Sequence, residues 1–126
     1  MKNQKNIVLY EPAYSVRFVL EKSLSRFQEE ISIFSSYRIK ELQQQISKDN
    51  VDLLIADISE FISPGIRLSR YGRRHHSDLK IIWLSVLGCD RLSALKIDIG
   101  NIVCLEKPLD IVDFRRNVLR ILNLLI

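Results

Sequence analysis

The chain has 126 residues, of which 47% are hydrophobic and 27% are charged, and its formal net charge is +4. This composition is typical of a folded domain and excludes a disordered chain. Near its start only four consecutive residues, 7–10, are apolar, which is too few for a signal peptide or a membrane span. We therefore predict one domain over residues 1–126, either a whole protein or the N-terminal part of a longer one, in the cytoplasm and without a membrane partner.

The two cysteines, Cys89 and Cys104, lack the C-x-x-C spacing of zinc and redox motifs, and no secretory signal accompanies them. We predict that both are free thiols without a redox role. Basic residues cluster at 67–80 and at 115–120, where they could meet nucleic acid or an acidic partner. A solvated helix face explains both clusters more simply, and we expect nucleic-acid contact only through an output domain outside this sequence.

Apolar runs and helical periodicity alternate along the chain. In order, they predict strands at residues 7–10, 31–34, 51–57, 80–85 and 102–105, and helices at 16–27, from Ser36 to 46, from 64, at 90–96 and from about 110. The third strand carries four consecutive apolar residues directly before Asp57, which is typical of a strand covered on both faces. The alternation predicts an α/β fold, a parallel sheet with helices on both faces and right-handed crossovers.

The residues that follow the predicted strands carry reactive or charged groups. Strands one, three, four and five end on Glu11, Asp57, Ser85 and Lys107. The carboxyl ends of parallel strands meet at one edge of the sheet, where α/β proteins bind ligands. An aspartate at this edge can accept a phosphoryl group when a lysine, a hydroxyl donor and Mg²⁺ stabilise the phosphoryl oxygens. The alternative is structural: turn caps for Asp57 and Ser85, a first-turn residue for Glu11 and a surface lysine for Lys107.

Over nearly the whole chain this pattern resembles the receiver domain of bacterial two-component response regulators. Asp57 matches the phosphoacceptor, Ser85 the hydroxyl of the fourth strand, and Lys107 with Pro108 the Lys-Pro pair after the fifth strand. The resemblance implies a CheY-like, flavodoxin-like fold with strand order 2-1-3-4-5 and five helices on two faces. It also implies a signalling module, not an enzyme, in which Asp57 accepts a phosphoryl group from a histidine kinase or a phosphotransfer protein.

For the metal site, the resemblance implies Mg²⁺ held by Glu11, Asp57 and the backbone carbonyl of Ser59. Receiver domains carry two adjacent acids after the first strand, whereas this chain has Glu11 followed by Pro12. Because proline has no side-chain ligand, we expect reduced affinity for Mg²⁺.

For the conformational switch, the resemblance implies a pair formed by Ser85 and Cys104. Cys104 stands where an aromatic residue is usual, and it is too small to reproduce the rotation of that aromatic side chain. Val86 stands where a small residue is usual, and it crowds access to the acceptor. These departures keep a second interpretation open: a pseudo-receiver that binds partners without phosphorylation.

A small enzyme of similar topology is the third function class. A flavin carrier would need a Ser/Thr/Gly phosphate loop after the first strand, which residues 11–14 do not supply. A phosphatase with an aspartate nucleophile would need a second aspartate two residues after Asp57, where this chain has Ser59. We rank this class last.

Receivers commonly pair through the face formed by helix 4, strand 5 and helix 5. On this face the chain offers residues of both charges: Asp110, Asp113, Arg115, Arg116 and Arg120. We predict a homodimer through this face.

Overall fold

The computed structural model describes residues 3–59, 63–96 and 99–124, with the backbone alone for residues 95 and 96. Within this part of the chain, five strands alternate with five α-helices. The strands are β1 (Lys5–Tyr10), β2 (Ile31–Ser36), β3 (Leu53–Ile58), β4 (Lys80–Ser85) and β5 (Val103–Glu106). The helices are α1 (Tyr14–Leu24), α2 (Ile39–Lys48), α3 (Pro64–His75), α4 (Cys89–Lys96) and α5 (Ile111–Ile121).

All strand pairs are parallel, and the strand order is β2-β1-β3-β4-β5. The predicted flavodoxin-like topology is therefore confirmed. The chain leaves β1 toward one edge of the sheet and returns from β2 to β3 on the other side of β1. The crevice beyond the carboxyl ends of β1 and β3 is the switch point at which sheets of this type bind ligands.

Alternate residues of each inner strand enter two separate cores, one on each face of the sheet. In β3, Leu54, Ala56 and Ile58 belong to the core under α2 and α3. Leu53 and Ile55 belong to the core under α1 and α5. Because both faces are covered, all six residues of β3 are buried, which explains its unbroken apolar run.

Several predicted boundaries differ from the structure by a few residues. The first helix ends at Leu24 and a 3-10 turn, Ser25–Phe27, follows it. Ser36 ends β2 and does not start a helix, although its hydroxyl accepts a hydrogen bond from the N–H of Arg38 at 2.9 Å. Asp57 lies inside β3, in register with Leu84, because β3 continues to Ile58.

The start of α3 packs directly on the backbone of Asp57. A side chain at Gly65 would place its Cβ 2.2 Å from the carbonyl oxygen of Asp57, so only glycine permits this approach. The carbonyl of Gly65 accepts a hydrogen bond from Ser69 Oγ at 2.8 Å, and Ser69 Oγ accepts one from Trp83 Nε1 at 2.9 Å. This buried chain of hydrogen bonds fixes α3 against β4, and the close approach at Gly65 sets it against β3.

The end of α3 is held by Arg73. Its Nε donates to the carbonyl of Leu79 at 2.8 Å, and its Nη2 donates to the carbonyl of Asn101 at 2.7 Å. Its Nη1 donates to the carbonyl of Ile99. Gly100 lies between these two carbonyls with φ of 96°, a backbone conformation that favours glycine. Arg73 therefore joins α3 to the connection between α4 and β5.

Cys89 and Cys104 form a disulfide, so the prediction of two free thiols is wrong. Cys89 is the first residue of α4, and Cys104 lies in β5. Their Cα atoms are 5.7 Å apart although 15 positions separate them in the sequence. The connection between α4 and β5 brings the two together, and the local spacing carries no signal of that return.

Among the described helices, none has both the length and the apolar character required to cross a membrane.

Candidate functional site

Three predicted residues meet at the carboxyl edge of the sheet. Lys107 Nζ donates to Asp57 Oδ1 at 2.6 Å and to Glu11 Oε1 at 2.7 Å. The side chains of Glu11 and Asp57 are only 2% and 6% exposed, and that of Lys107 is 17% exposed. One ammonium group therefore donates hydrogen bonds to two buried carboxylates. The juxtaposition expected from the strand order is present.

Glu11 follows β1 and is fixed by contacts on both its side chain and its backbone. Its Oε2 accepts a hydrogen bond from the N–H of Ala13 at 3.0 Å, and its backbone carbonyl accepts one from Arg17 Nη1 at 2.7 Å. The guanidinium of Arg17 also lies over the rings of Tyr14 and Tyr37. Sequence reasoning missed Arg17, whose only signal was a basic residue early in α1, six positions after Glu11.

The electrostatic environment keeps Lys107 charged. Burial favours a lower pKa for Lys107, but hydrogen bonds and charges of Asp57 and Glu11 act against burial, and the pKa is raised. The neighbouring Tyr10 was also missed. Its pKa is raised by burial and then by the charges of Asp57 and Glu11, against an opposing effect of Arg67. At Tyr10 the effects of burial and of the two carboxylates therefore outweigh that of Arg67.

Ser85 is near this site but is not bonded to Asp57. Its hydroxyl donates to the carbonyl of Ile58 at 2.9 Å and accepts from the N–H of Leu87 at 2.9 Å. These contacts are those of a turn cap at the end of β4. The backbone carbonyl of Ser85 accepts a hydrogen bond from the N–H of Lys107 at 2.8 Å, which ties the ends of β4 and β5 together. Its role as a donor to a phosphoryl group stays a prediction.

The other predicted residues lie in β5 or directly after β3 and β4. Cys104, predicted as a switch residue, is in register with Trp83 and is held in the disulfide, so it has no free side chain to rotate. Val86 follows Ser85 and is 62% exposed. Ser59 directly follows β3 and is exposed, and the role of its carbonyl as a metal ligand stays a prediction.

Solved structures of receiver domains share this architecture. A signal receiver domain of an HD domain-containing protein from Pseudomonas fluorescens Pf-5 matches with a TM-score of 0.82 and 20% identity, over 96% of both chains. A response regulator from Thermotoga maritima matches with a TM-score of 0.80 and 16% identity, over 96% of this chain and 99% of its own. This chain has the receiver fold.

A third match agrees with this assignment of the fold. The chemotaxis protein CheY4 from Vibrio cholerae gives a TM-score of 0.81 at 14% identity, over 94% of this chain and 99% of its own. No protein-family model and no curated protein matches the sequence. The similarity to receiver domains is therefore one of fold, and the roles of the residues at the carboxyl edge rest on the contacts that these residues make.

The oxygen atoms at the edge of this receiver fold suit Mg²⁺ by chemical type. Within residues 3–59, 63–96 and 99–124, no three His, Cys, Asp or Glu side chains are grouped so that they could hold a metal ion. Two carboxylates and one carbonyl, from Glu11, Asp57 and Ser59, are nevertheless the hard oxygen donors that Mg²⁺ takes in phosphoryl-transfer sites. Pro12 adds no ligand, and Ala13 already engages Glu11 Oε2. The donor atoms are therefore of the type that Mg²⁺ prefers, and binding of Mg²⁺ by Glu11, Asp57 and Ser59 stays a prediction.

Proposed function

We propose that this chain is a receiver that accepts a phosphoryl group on Asp57 from a phosphohistidine of a histidine kinase or phosphotransfer protein. The observation that supports the proposal is the pair of hydrogen bonds from Lys107 to Asp57 and Glu11 at the carboxyl edge of a receiver fold. A buried carboxylate beside a fixed cation is the arrangement that phosphoryl transfer to an aspartate needs.

In the proposed reaction, a carboxylate oxygen of Asp57 attacks the phosphorus atom. The P–N bond of the phosphohistidine breaks, an acyl phosphate forms on Asp57, and the histidine leaves as the neutral imidazole after taking up a proton. Within the described part of the chain, the hydrogen bonds of Asp57 engage Oδ1 and leave Oδ2 for the attack. Lys107 then pairs with the phosphoryl oxygens through a charge-assisted hydrogen bond.

A Mg²⁺ ion held by Glu11, Asp57 and the carbonyl of Ser59 would supply further positive charge to the phosphoryl oxygens. Glu11 already has one oxygen on Lys107 and the other on the N–H of Ala13. Its carboxylate must therefore give up or share a hydrogen bond to reach a cation. We expect Mg²⁺ affinity below that of a site with an acid at position 12.

Phosphorylation by a small donor tests the proposal. With Mg²⁺ and acetyl phosphate, the wild type should gain the mass of one phosphoryl group, and Asp57→Asn should gain none because the amide is a poor nucleophile. Asp78→Asn, which changes an exposed aspartate before the amino end of β4, at the edge of the sheet opposite the site, is the matched control and should react like the wild type. No gain in the wild type, or an undiminished gain in Asp57→Asn, would contradict the proposal. Intact-protein mass spectrometry measures both.

A phosphorylation-independent pseudo-receiver is the second candidate. The contacts of Ser85 favour it, because the hydroxyl would have to leave the carbonyl of Ile58 before it could reach a phosphoryl group. The disulfide at Cys104 favours it as well. In this case the wild type takes up no phosphoryl group, and partner binding survives Asp57→Asn. Loss of partner binding in that variant would exclude this candidate.

We also infer a homodimer through the face formed by α4, β5 and α5. Asp110 caps α5 by accepting from the N–H of Asp113 at 3.0 Å, while the side chain of Val112 is 54% exposed. Arg116 and Arg120 are exposed on the same helix and could meet Asp113 of a second copy across a two-fold axis.

Light scattering at two protein concentrations checks this dimer. The average mass should rise from near 14.7 kDa toward twice that value with concentration. Arg116→Glu should weaken the association, and Arg26→Glu, at an exposed position outside this face, should not. A strictly monomeric protein at both concentrations would contradict the inference.

A further inference from the structure

The disulfide lies beside the loop that starts at Ser85. Only three residues, 86–88, connect Ser85 to Cys89, and Cys89 is bonded to Cys104 of β5. The same loop holds Gly88, whose φ is 82°. The disulfide thus attaches the end of this loop, at Cys89, to β5, the strand that Lys107 follows.

Helix α4 is weakly packed apart from this bond. Among its described side chains, residues 89–94, only Leu92 is buried. A helix of eight residues is not stable in water without tertiary contacts. At its first turn, the N–H of Cys89 donates to Glu106 Oε2 at 3.0 Å, an exposed hydrogen bond of modest strength. The disulfide is therefore the strongest restraint on the start of α4.

We propose that Cys89 and Cys104 form a thiol–disulfide exchange site that acts as a reversible latch on α4 and on residues 86–88. Both cysteines are partly exposed, so a small thiol can reach them. One thiolate of a dithiol reductant attacks a sulfur of the bond and forms a mixed disulfide, which the second thiol of the reductant resolves. The two cysteines gain two electrons and two protons, and the reductant becomes a disulfide.

The predicted location of the protein in the cytoplasm, a reducing compartment, agrees with such a role. In a reducing compartment, protein disulfides are typically transient and redox-sensing. Because the disulfide links a weakly packed helix to a strand, its reduction increases the mobility of one segment, α4 with residues 86–88. The segment includes the loop after Ser85, so the latch reaches the proposed phosphoryl site. It goes beyond the proposed function, because its opening does not require Asp57 to be phosphorylated.

Hydrogen exchange of the oxidised and the reduced protein tests the latch. With dithiothreitol, and at exchange times too short for global unfolding to contribute, the amides of α4 and of residues 86–88 should exchange faster by a factor on the order of ten, while those of α2 and α5 stay protected. Reoxidation with oxidised glutathione should restore the slow exchange. Equal exchange in both states would overturn the proposal, and so would an absence of the disulfide in the air-oxidised protein.

Variants distinguish a local latch from a bond that holds the whole fold together. Cys89→Ser with Cys104→Ser should show the fast exchange with or without dithiothreitol. Asp57→Asn should keep the full response to dithiothreitol, so failure of the phosphorylation proposal would leave the latch standing. If reduction, or the double substitution, accelerated exchange in every helix alike at these short times, the bond would not act locally on α4 and the latch would be refuted.

Discussion

Replacing Lys107 with methionine is expected to lower the free energy of unfolding by about 3–5 kcal/mol. The variant leaves Glu11 and Asp57 buried side by side without the ammonium group that bonds to both. Uncompensated buried charges cost far more than the loss of an exposed ion pair. Urea unfolding at neutral pH measures the loss, and Lys40→Met, at an exposed lysine, should change stability by less than about 0.5 kcal/mol.

The pH dependence of this effect has a definite sign. Because the pKa of Lys107 is raised in the folded protein, its contribution is fully present below the ordinary pKa of lysine. The contribution disappears only as the pH rises through the raised value, in the alkaline range.

A double substitution checks the cause. Asp57→Asn in the Lys107→Met background should recover much of the lost stability, because it removes one of the two unpaired charges. If Lys107→Met were as stable as the wild type, or if Asp57→Asn made it still less stable, the ammonium group would not be what stabilises the buried carboxylates.

Replacing both Cys89 and Cys104 with serine is expected to lower the free energy of unfolding of the oxidised protein by about 3 kcal/mol, the chain-entropy value for a loop of this size. The bond joins positions 15 residues apart. The wild type in dithiothreitol should be as unstable as the double variant, and neither reductant nor oxidant should affect that variant. A loss below about 1 kcal/mol would mean that the bond contributes little to the fold. Urea unfolding at fixed pH gives all three values.

A loss of this size still leaves a domain of ordinary stability folded. Local release of α4 and global stability are therefore separate measurements on the same bond. Hydrogen exchange reports the release of the first turn of α4, and urea unfolding reports the entropy that the bond removes from the unfolded chain.

The sheet can be predicted from the sequence because its inner strands are continuous apolar runs. All six residues of β3 and five of the six residues of β4 are buried, as expected for strands covered by helices on both faces. The meeting of Glu11, Asp57 and Lys107 follows from the same logic, since each lies at or just beyond the carboxyl end of a parallel strand. The strand order brings these residues together, and the strand order was predicted from the sequence.

Contacts that depend on the path of a connection could not be predicted. The disulfide arises because the chain returns from α4 to β5, and the local sequence around Cys89 does not record that return. Ser36 has the side chain of a helix cap, yet parallel pairing with Tyr10 of β1 draws it into β2. Ser85 was placed at the correct edge, but the partner of its hydroxyl was decided by the neighbouring carbonyl of Ile58, which no residue pattern indicates.

The three hydrogen bonds of Arg73 restrain the chain beyond α4. They hold the chain at Ile99 and Asn101, just past α4, while the disulfide holds the first residue of α4. Opening the disulfide would therefore free the first turn of α4, whereas the chain beyond the helix would stay bonded to Arg73. The released end follows Ser85 by four positions, so the gain in mobility would begin next to the carboxyl edge of the sheet.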